Sequence, residues 1–188
     1  MNTTVAFLAQ TLAIFMGFFT RVVFTRTLSE GYVGINGLFT DILNILSLSE
    51  LGVGTAITYA LYAPIARRDI KKQQILMRMF RNFYRITAGF VLLAGLCLIP
   101  FLDILMKDRP DVNHLIIIYL LYLLNSVVSY LLIYKKTLVD AHQMNYITVM
   151  YHNGFLVLQD ILQIMVLFLT RNFILFLVIA VVCTIIGN

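Results

Sequence analysis

His114-Leu115-Ile116-Ile117-Ile118-Tyr119-Leu120-Leu121-Tyr122-Leu123-Leu124-Asn125-Ser126-Val127-Val128-Ser129-Tyr130-Leu131-Leu132-Ile133-Tyr134 contains no Asp, Glu, Lys or Arg. A helix needs about 20 predominantly apolar residues to cross the hydrocarbon core of a bilayer, so this stretch has the length and character of a membrane span. A strand of an outer-membrane barrel would instead alternate polar and apolar residues over about ten positions. Five further apolar runs flank it, at residues 5–24, 33–62, 86–106, 147–170 and 172–188. The pattern predicts an all-α fold: a polytopic transmembrane bundle of about six helices within one domain, 1–188. Residues 63–85 form a basic cytoplasmic connector between the second and third spans.

Composition leads to the same class. Hydrophobic residues make up 61% of the 188 positions and charged residues 12%, and the mean hydropathy is +0.91. Soluble domains are about 45–50% apolar and about 25% charged. A soluble globule of this size could not hide so much apolar surface, which excludes a soluble enzyme, a disordered tail and a secreted disulfide scaffold. Cys97 and Cys183 both sit in apolar runs and read as small buried hydrophobes, with no spacing for a metal site or a disulfide framework. The start, Met1-Asn2-Thr3-Thr4, lacks a basic n-region, so the first run reads as a retained helix rather than a cleaved signal. At the other end, Val181 to Asn188 stops within an apolar run, as expected of a truncated chain or of one lobe of a longer one.

The net charge of +5 is explained by topology rather than by nucleic acid, which is not an expected partner. The second connection carries Arg67, Arg68, Lys71, Lys72, Arg78, Arg81 and Arg85 against the single acid Asp69, and the fourth carries Lys135 and Lys136. With six alternating spans these two lie on one side, and the positive-inside rule makes that side cytoplasmic. Both chain ends then face the cytoplasm as well. Arg78, Arg81 and Arg85 share a helical face, which predicts an amphipathic helix on the inner leaflet before the third span. They serve either as a solvated topology signal or as a site for anionic headgroups or diphosphate.

A charged side chain at the middle of a bilayer costs about 2.5–3.5 kcal/mol on insertion scales, so polar residues within the spans should not face lipid. At 100° per residue, Gln10, Gly17 and Arg21 form a stripe on the first span, and Arg21 either points inward or snorkels. Asp41, Asn44, Gly52, Thr55 and Tyr59 form a stripe on the second, with Glu50, Ser47 and Gly54 on the opposite face. Tyr122, Asn125, Ser126, Ser129 and Tyr130 mark the fourth, and Asn153, Asp160 and Gln163 the fifth. Two readings are open. The stripes could surround a shared hydrated cavity, or the uncharged members could join helices directly. The charged ones, Arg21, Asp41, Glu50 and Asp160, favour a cavity or an ion pair.

Soluble chemistry is absent. No G-x-x-x-x-G-K-[ST] run occurs, and His114, His142 and His152 lack metal-ligand spacing. No catalytic residues, metal site or enzyme activity is expected. No loop resembles a channel's selectivity filter.

Four stretches carry a family resemblance. They are Gly31-Tyr32-Val33-Gly34-Ile35-Asn36-Gly37-Leu38-Phe39, Leu48-Ser49-Glu50-Leu51-Gly52-Val53-Gly54-Thr55-Ala56-Ile57, Ala60-Leu61-Tyr62-Ala63-Pro64-Ile65-Ala66, and Asn125 to Tyr130 followed by Tyr134 to Ile147. In this order they resemble Wzx-type polysaccharide repeat-unit flippases of the multidrug/oligosaccharidyl-lipid/polysaccharide (MOP) exporter superfamily, in the variant of capsule, exopolysaccharide or O-antigen loci. The resemblance implies the N-terminal lobe of a MATE-like fold, with a missing C-terminal lobe as a partner and a polysaccharide polymerase as a further one. It implies transport of undecaprenyl-diphosphate-linked oligosaccharide across the bacterial cytoplasmic membrane by alternating access. Membrane lipids are then partners, and the coupling ion is H+ or Na+.

Under that resemblance, Arg21 is a central partner for the diphosphate, and Arg78, Arg81 and Arg85 are its first contacts. Tyr122 and Tyr130 would stack on sugar rings. Asn44, Asn125 and Ser129 would line the polar path. Asp41, Glu50 and Asp160 would pair with Arg21 or carry the coupling ion. An ion-coupled multidrug antiporter and a truncated, non-transporting membrane scaffold are the alternatives.

Overall fold

The computed structural model describes residues 2–47, 53–102, 106, 114–142 and 144–187, and no strand occurs among them. Glu50 lies outside these residues. Helices α1 (Asn2–Thr27), α2 (Glu30–Ser47), α3 (Val53–Ala66) and α4 (Ile70–Leu98) are followed by a 3-10 turn, Ile99–Phe101. Helices α5 (Leu115–Leu132), α6 (Tyr134–Ala141), α7 (Asn145–Thr170) and α8 (Phe173–Gly187) complete the chain order. The all-α bundle is as expected.

Four stretches among the described residues are long and apolar enough to cross a membrane: Phe7–Thr27, Ile70–Phe101, Leu115–Ala141 and Tyr146–Thr170. They mark the chain as a membrane protein. The sequence led to six. The difference lies in the second run, which contributes α2 and α3 on either side of residues 48–52, and in the last. Helix α8 has 15 residues, about 22 Å at 1.5 Å per residue, against a core of about 30 Å.

The basic connector also differs from expectation. The helix begins at Ile70, not Ile86, and continues through Leu98 without interruption. Its 29 residues span about 43 Å. The arginine-bearing half is therefore the axial continuation of an apolar half, not a separate helix turning into it. Local chemistry sets its start. Arg68 takes a left-handed conformation (φ 53°) after α3, the Asp69 N–H donates to Pro64 O at 2.9 Å, and the Asp69 carboxylate caps α4 by accepting from the Lys72 N–H at 3.0 Å. An Asp at an N-cap satisfies a helix donor that has no intrahelical partner. The α7–α8 corner follows the same logic. Arg171 is left-handed (φ 49°), and Asn172 Oδ1 accepts from the N–H groups of Ile174 and Leu175.

Packing is uneven. Helix α1 lies mainly on α7, α4 on α5, and α8 on both α5 and α7, while α3 sits against α4 and α6. The buried core runs through Ile35, Phe39, Leu61, Tyr84, Val91, Ile118, Tyr119 and Leu123. Phe39 meets Tyr119 edge to face, with ring centroids 5.0 Å apart. The opposite face of α1 presents Phe7, Leu8, Leu12, Ile14, Phe15, Phe18 and Phe19 outward, as a lipid-facing surface should.

Candidate functional site

The polar stripes of the first and fifth spans meet each other. Asn153, 2% exposed, donates from Nδ2 to Gln10 Oε1 at 2.8 Å. The Thr20 hydroxyl donates to Asp160 Oδ1 at 2.9 Å. Rising numbers on α1 pair with rising numbers on α7, so the two helices run in the same direction. Gln163, 3% exposed, reaches α8 by donating to Phe176 O at 3.1 Å. These are direct interhelical hydrogen bonds, worth about 0.6 kcal/mol on average and up to about 1.7 kcal/mol in a membrane protein. A double-mutant cycle of Gln10→Leu and Asn153→Leu, read by SDS-induced unfolding in detergent, should return a coupling within that range. Strictly additive losses would show that this rung does not form.

The remaining sequence-derived residues are dispersed. Arg21 is exposed, with Cζ 5.9 Å from the Phe24 ring centroid. Asp160 is engaged by Thr20 rather than by Arg21. Asp41 and Asn44 are on exposed positions of α2. The Tyr122 hydroxyl donates to Asn36 Oδ1, and the Tyr122 ring packs beside Phe39 and Phe173. Tyr130 is buried in the core. Asn125 Oδ1 is buried without a hydrogen-bond partner. Ser129 is half-buried, and its carbonyl accepts from the Ile133 N–H at 3.1 Å.

The structure instead brings together residues that the sequence reading did not group. A chamber of about 620 Å³ lies between α3, α4 and α6. Helix α3 contributes Gly54, Thr58 and Tyr62 along one row and Thr55 and Tyr59 along the next, so Gly54, expected on the face opposite Thr55 and Tyr59, borders the same chamber. Helix α4 contributes Tyr84. The junction of α5 and α6 contributes Ile133, and α6 contributes Lys136, Thr137 and Asp140. None of Arg21, Asp41, Asn44, Tyr122, Asn125, Ser129, Tyr130 or Asp160 lines it. Gly54 on α3 faces Tyr84 of α4, where a Cβ would lie at ordinary contact distance, 3.4 Å, from the Tyr84 hydroxyl. Tyr59 and Tyr62 stand edge to face, 5.7 Å apart, with Tyr59 72% exposed. Asp140 Oδ1 is buried and has no hydrogen-bond partner.

A second cavity of about 440 Å³ is lined by Gln74, Met77, Arg78, Arg81 and Tyr134. Arg81 and Tyr84 are three residues apart on α4, and Ile133 and Tyr134 are adjacent, so the two cavities follow one another along the same pair of elements. Arg81 Nε is buried without a partner. A buried polar group left unpaired costs about 1–3 kcal/mol, more when charged. Arg85, expected beside these arginines, is exposed and does not line the cavity.

Chemically, the chamber offers hydroxyl donors and acceptors, two tyrosine faces, one ammonium and one carboxylate. The adjoining cavity offers two guanidinium groups. A polyhydroxylated ring can exchange hydrogen bonds with the first and stack on its tyrosines, while phosphate oxygens suit the planar donor forks of the second. Thr55 and Tyr59 were visible in the sequence as part of a polar stripe. Lys136, Thr137 and Asp140 were read as a loop, although their spacing from Ile133 (i, i+3, i+4, i+7) is the helical signal that could have found them. Among the described residues, no group of three or more His, Cys, Asp or Glu side chains could hold a metal ion. No family model, no curated protein and no solved structure matches the chain.

Proposed function

We propose that this chain is one lobe of a membrane transporter that moves a diphosphate-linked oligosaccharide on a polyprenyl anchor from the inner to the outer leaflet. The observation that carries the reading is the succession of the two cavities: a hydroxyl- and tyrosine-lined chamber beside one holding Arg78 and Arg81, the latter with a buried, unpaired Nε. That order matches the order of groups in such a headgroup, sugar then diphosphate, with the polyprenyl chain left in the bilayer. Flipping makes and breaks no covalent bond, so the chain acts as a transporter and not as an enzyme.

The concentration of Lys and Arg at 67–85 and 135–136 supports a cytoplasmic position for these cavities and for the N-terminus, in a bacterial cytoplasmic membrane. Alternating access then requires a facing lobe, and a polysaccharide polymerase on the far side would draw the product away. Coupling to H+ or Na+ would supply the direction. The resemblance to Wzx-type flippases supports the same substrate class. A multidrug antiporter for organic cations fits less well, because Arg78 and Arg81 would repel its cargo.

The test is binding of a fluorescent short-chain polyprenyl-diphosphate oligosaccharide to the chain in nanodiscs, against the same lipid without sugar and against a lipophilic organic cation. Saturable binding that weakens when either the sugar or the diphosphate is removed is expected. Preference for the cation, or equal binding of all three, would overturn the reading. A leaflet-sidedness assay on vesicles holding this chain together with its facing lobe then separates a transporter from a scaffold that only binds.

A further inference from the structure

A third cavity, of about 190 Å³, lies on the other side of α6, where α6, α7 and α8 meet. Its polar lining is Lys135, Lys136, Thr148, Tyr151 and His152. Among the described residues, no carboxylate lines it. The one acid of α6, Asp140, lines the 620 Å³ chamber instead. Two ammonium groups beside one small space repel each other, and an anion there would offset that repulsion while the His152 ring offers a further hydrogen-bond donor.

Thr148 Oγ1 adds a second observation. It is buried in this cavity and has no hydrogen-bond partner. A buried hydroxyl left without a partner is unfavourable, and an anion in the cavity would offer it an acceptor. The Tyr151 hydroxyl is already engaged, donating to Ile186 O at 3.3 Å, and fixes the wall between α7 and α8. The donors come from different directions rather than from one planar fork. That arrangement suits a tetrahedral, many-oxygen anion better than a planar carboxylate.

The surroundings indicate how such an anion could be presented. The cavity is at the junction of two spanning stretches, Leu115–Ala141 and Tyr146–Thr170, which places it at a membrane–water boundary. Exposed apolar side chains lead away from it: Ile147 and Tyr151 on its rim, then Met150 and Ile186. Basic pockets between membrane helices are suited to phospholipid headgroups.

We infer that this cavity binds a phosphate group through Lys135, Lys136, His152 and Thr148, delivered by an anionic phospholipid or by free phosphate. The site is separate from the pair of cavities assigned to the transported headgroup, apart from Lys136, and does not rest on transport.

The experiment is lysine footprinting of the unmodified chain in phosphatidylcholine nanodiscs, in three arms: no addition, added phosphatidylglycerol, and added inorganic phosphate. Acetylation of Lys135 and Lys136 is followed by mass spectrometry, with Lys71 and Lys72 at the start of α4 as internal reference. Labelling of Lys135 and Lys136 should slow by about tenfold relative to the reference pair. Protection with phosphatidylglycerol alone identifies a lipid headgroup as the source; protection with inorganic phosphate identifies the free anion. No protection in either arm, or equal protection of Lys71 and Lys72, would overturn the inference. Thr148→Val keeps every charge and should still reduce the protection by several-fold. If Thr148→Val leaves the protection unchanged, the built site is refuted and only diffuse attraction to the surface remains.

Discussion

Arg78→Gln combined with Arg81→Gln is expected to weaken binding of a polyprenyl-diphosphate oligosaccharide by about 100-fold or more. Hydrogen bonds to charged groups contribute about 1.5–3 kcal/mol each, so two guanidinium contacts to a diphosphate amount to about 3–6 kcal/mol, and 1.4 kcal/mol is tenfold in affinity. Both side chains line one cavity, and Arg81 Nε has no partner within the protein. The matched control is Arg67→Gln with Arg68→Gln, which removes the same charge from the exposed turn before α4. It should change binding by less than about tenfold, the size of a screened surface contribution. Arg78→Lys with Arg81→Lys should recover part of the loss, because the charge returns without the planar fork. Equal losses from the turn and cavity pairs, measured by titration in nanodiscs, would mean that the cavity recognises nothing and that only net charge attracts the lipid. Removing the sugar from the ligand should leave the effect of the arginine pair intact, since the rings would sit on Tyr59 and Tyr62 instead.

Gly95→Leu should destabilise the bundle by about 2–6 kcal/mol. Gly95 is buried on α4 where that helix crosses α5, and a Cβ there would lie 2.4 Å from Leu123 Cδ1 and 2.9 Å from Cδ2. Leu123 is itself only 1% exposed, so it has little room to withdraw. Overpacking of this kind costs about 1–3 kcal/mol. The Tyr119 hydroxyl also donates to Gly95 O at 2.8 Å, and forcing the helices apart adds the cost of a buried unpaired group, about 1–3 kcal/mol. Gly89→Leu on the same helix provides the comparison. A Cβ at Gly89 meets nothing within 4 Å, and replacing Gly in a helix interior gains about 0.8–1 kcal/mol of propensity. SDS titration of the two variants should therefore move in opposite directions. A Gly95→Leu protein as stable as the parent would show that α4 and α5 do not need this close approach.

Several local features can be read from single residues. Asp69 before Ile70 and Asn172 before Phe173 are cap residues, and both cap their helices. The sequence leaves Gln10, Asn153 and Gln163 either lining a cavity or joining helices, and all three join helices. Arg21 shows the limit. Its position on the first span allowed an inward or a snorkelling orientation, and it is exposed, with its guanidinium near Phe24. Nothing in its neighbours along the chain distinguishes those outcomes, because they differ only in what α1 packs against. The basic stretch at 67–85 reads from sequence as a leaflet helix because amphipathic periodicity is local. Its continuation into Ile86–Leu98 as one helix depends on the absence of any breaker between them, a fact present in the sequence but outweighed there by the change in polarity.

By itself the sequence determined the solvent and the secondary structure. Long charge-free runs oblige a chain to enter lipid, and lipid obliges each run to satisfy its own backbone groups as helix. The tertiary structure decided which helix faces which. Apolar faces attract lipid tails and one another about equally, so periodicity reveals that a helix has a polar side without naming its partner. Only in the folded bundle do the stripes of α1 and α7 close on each other, and only there do Tyr59, Tyr84 and Asp140 come to line one chamber beside Arg81.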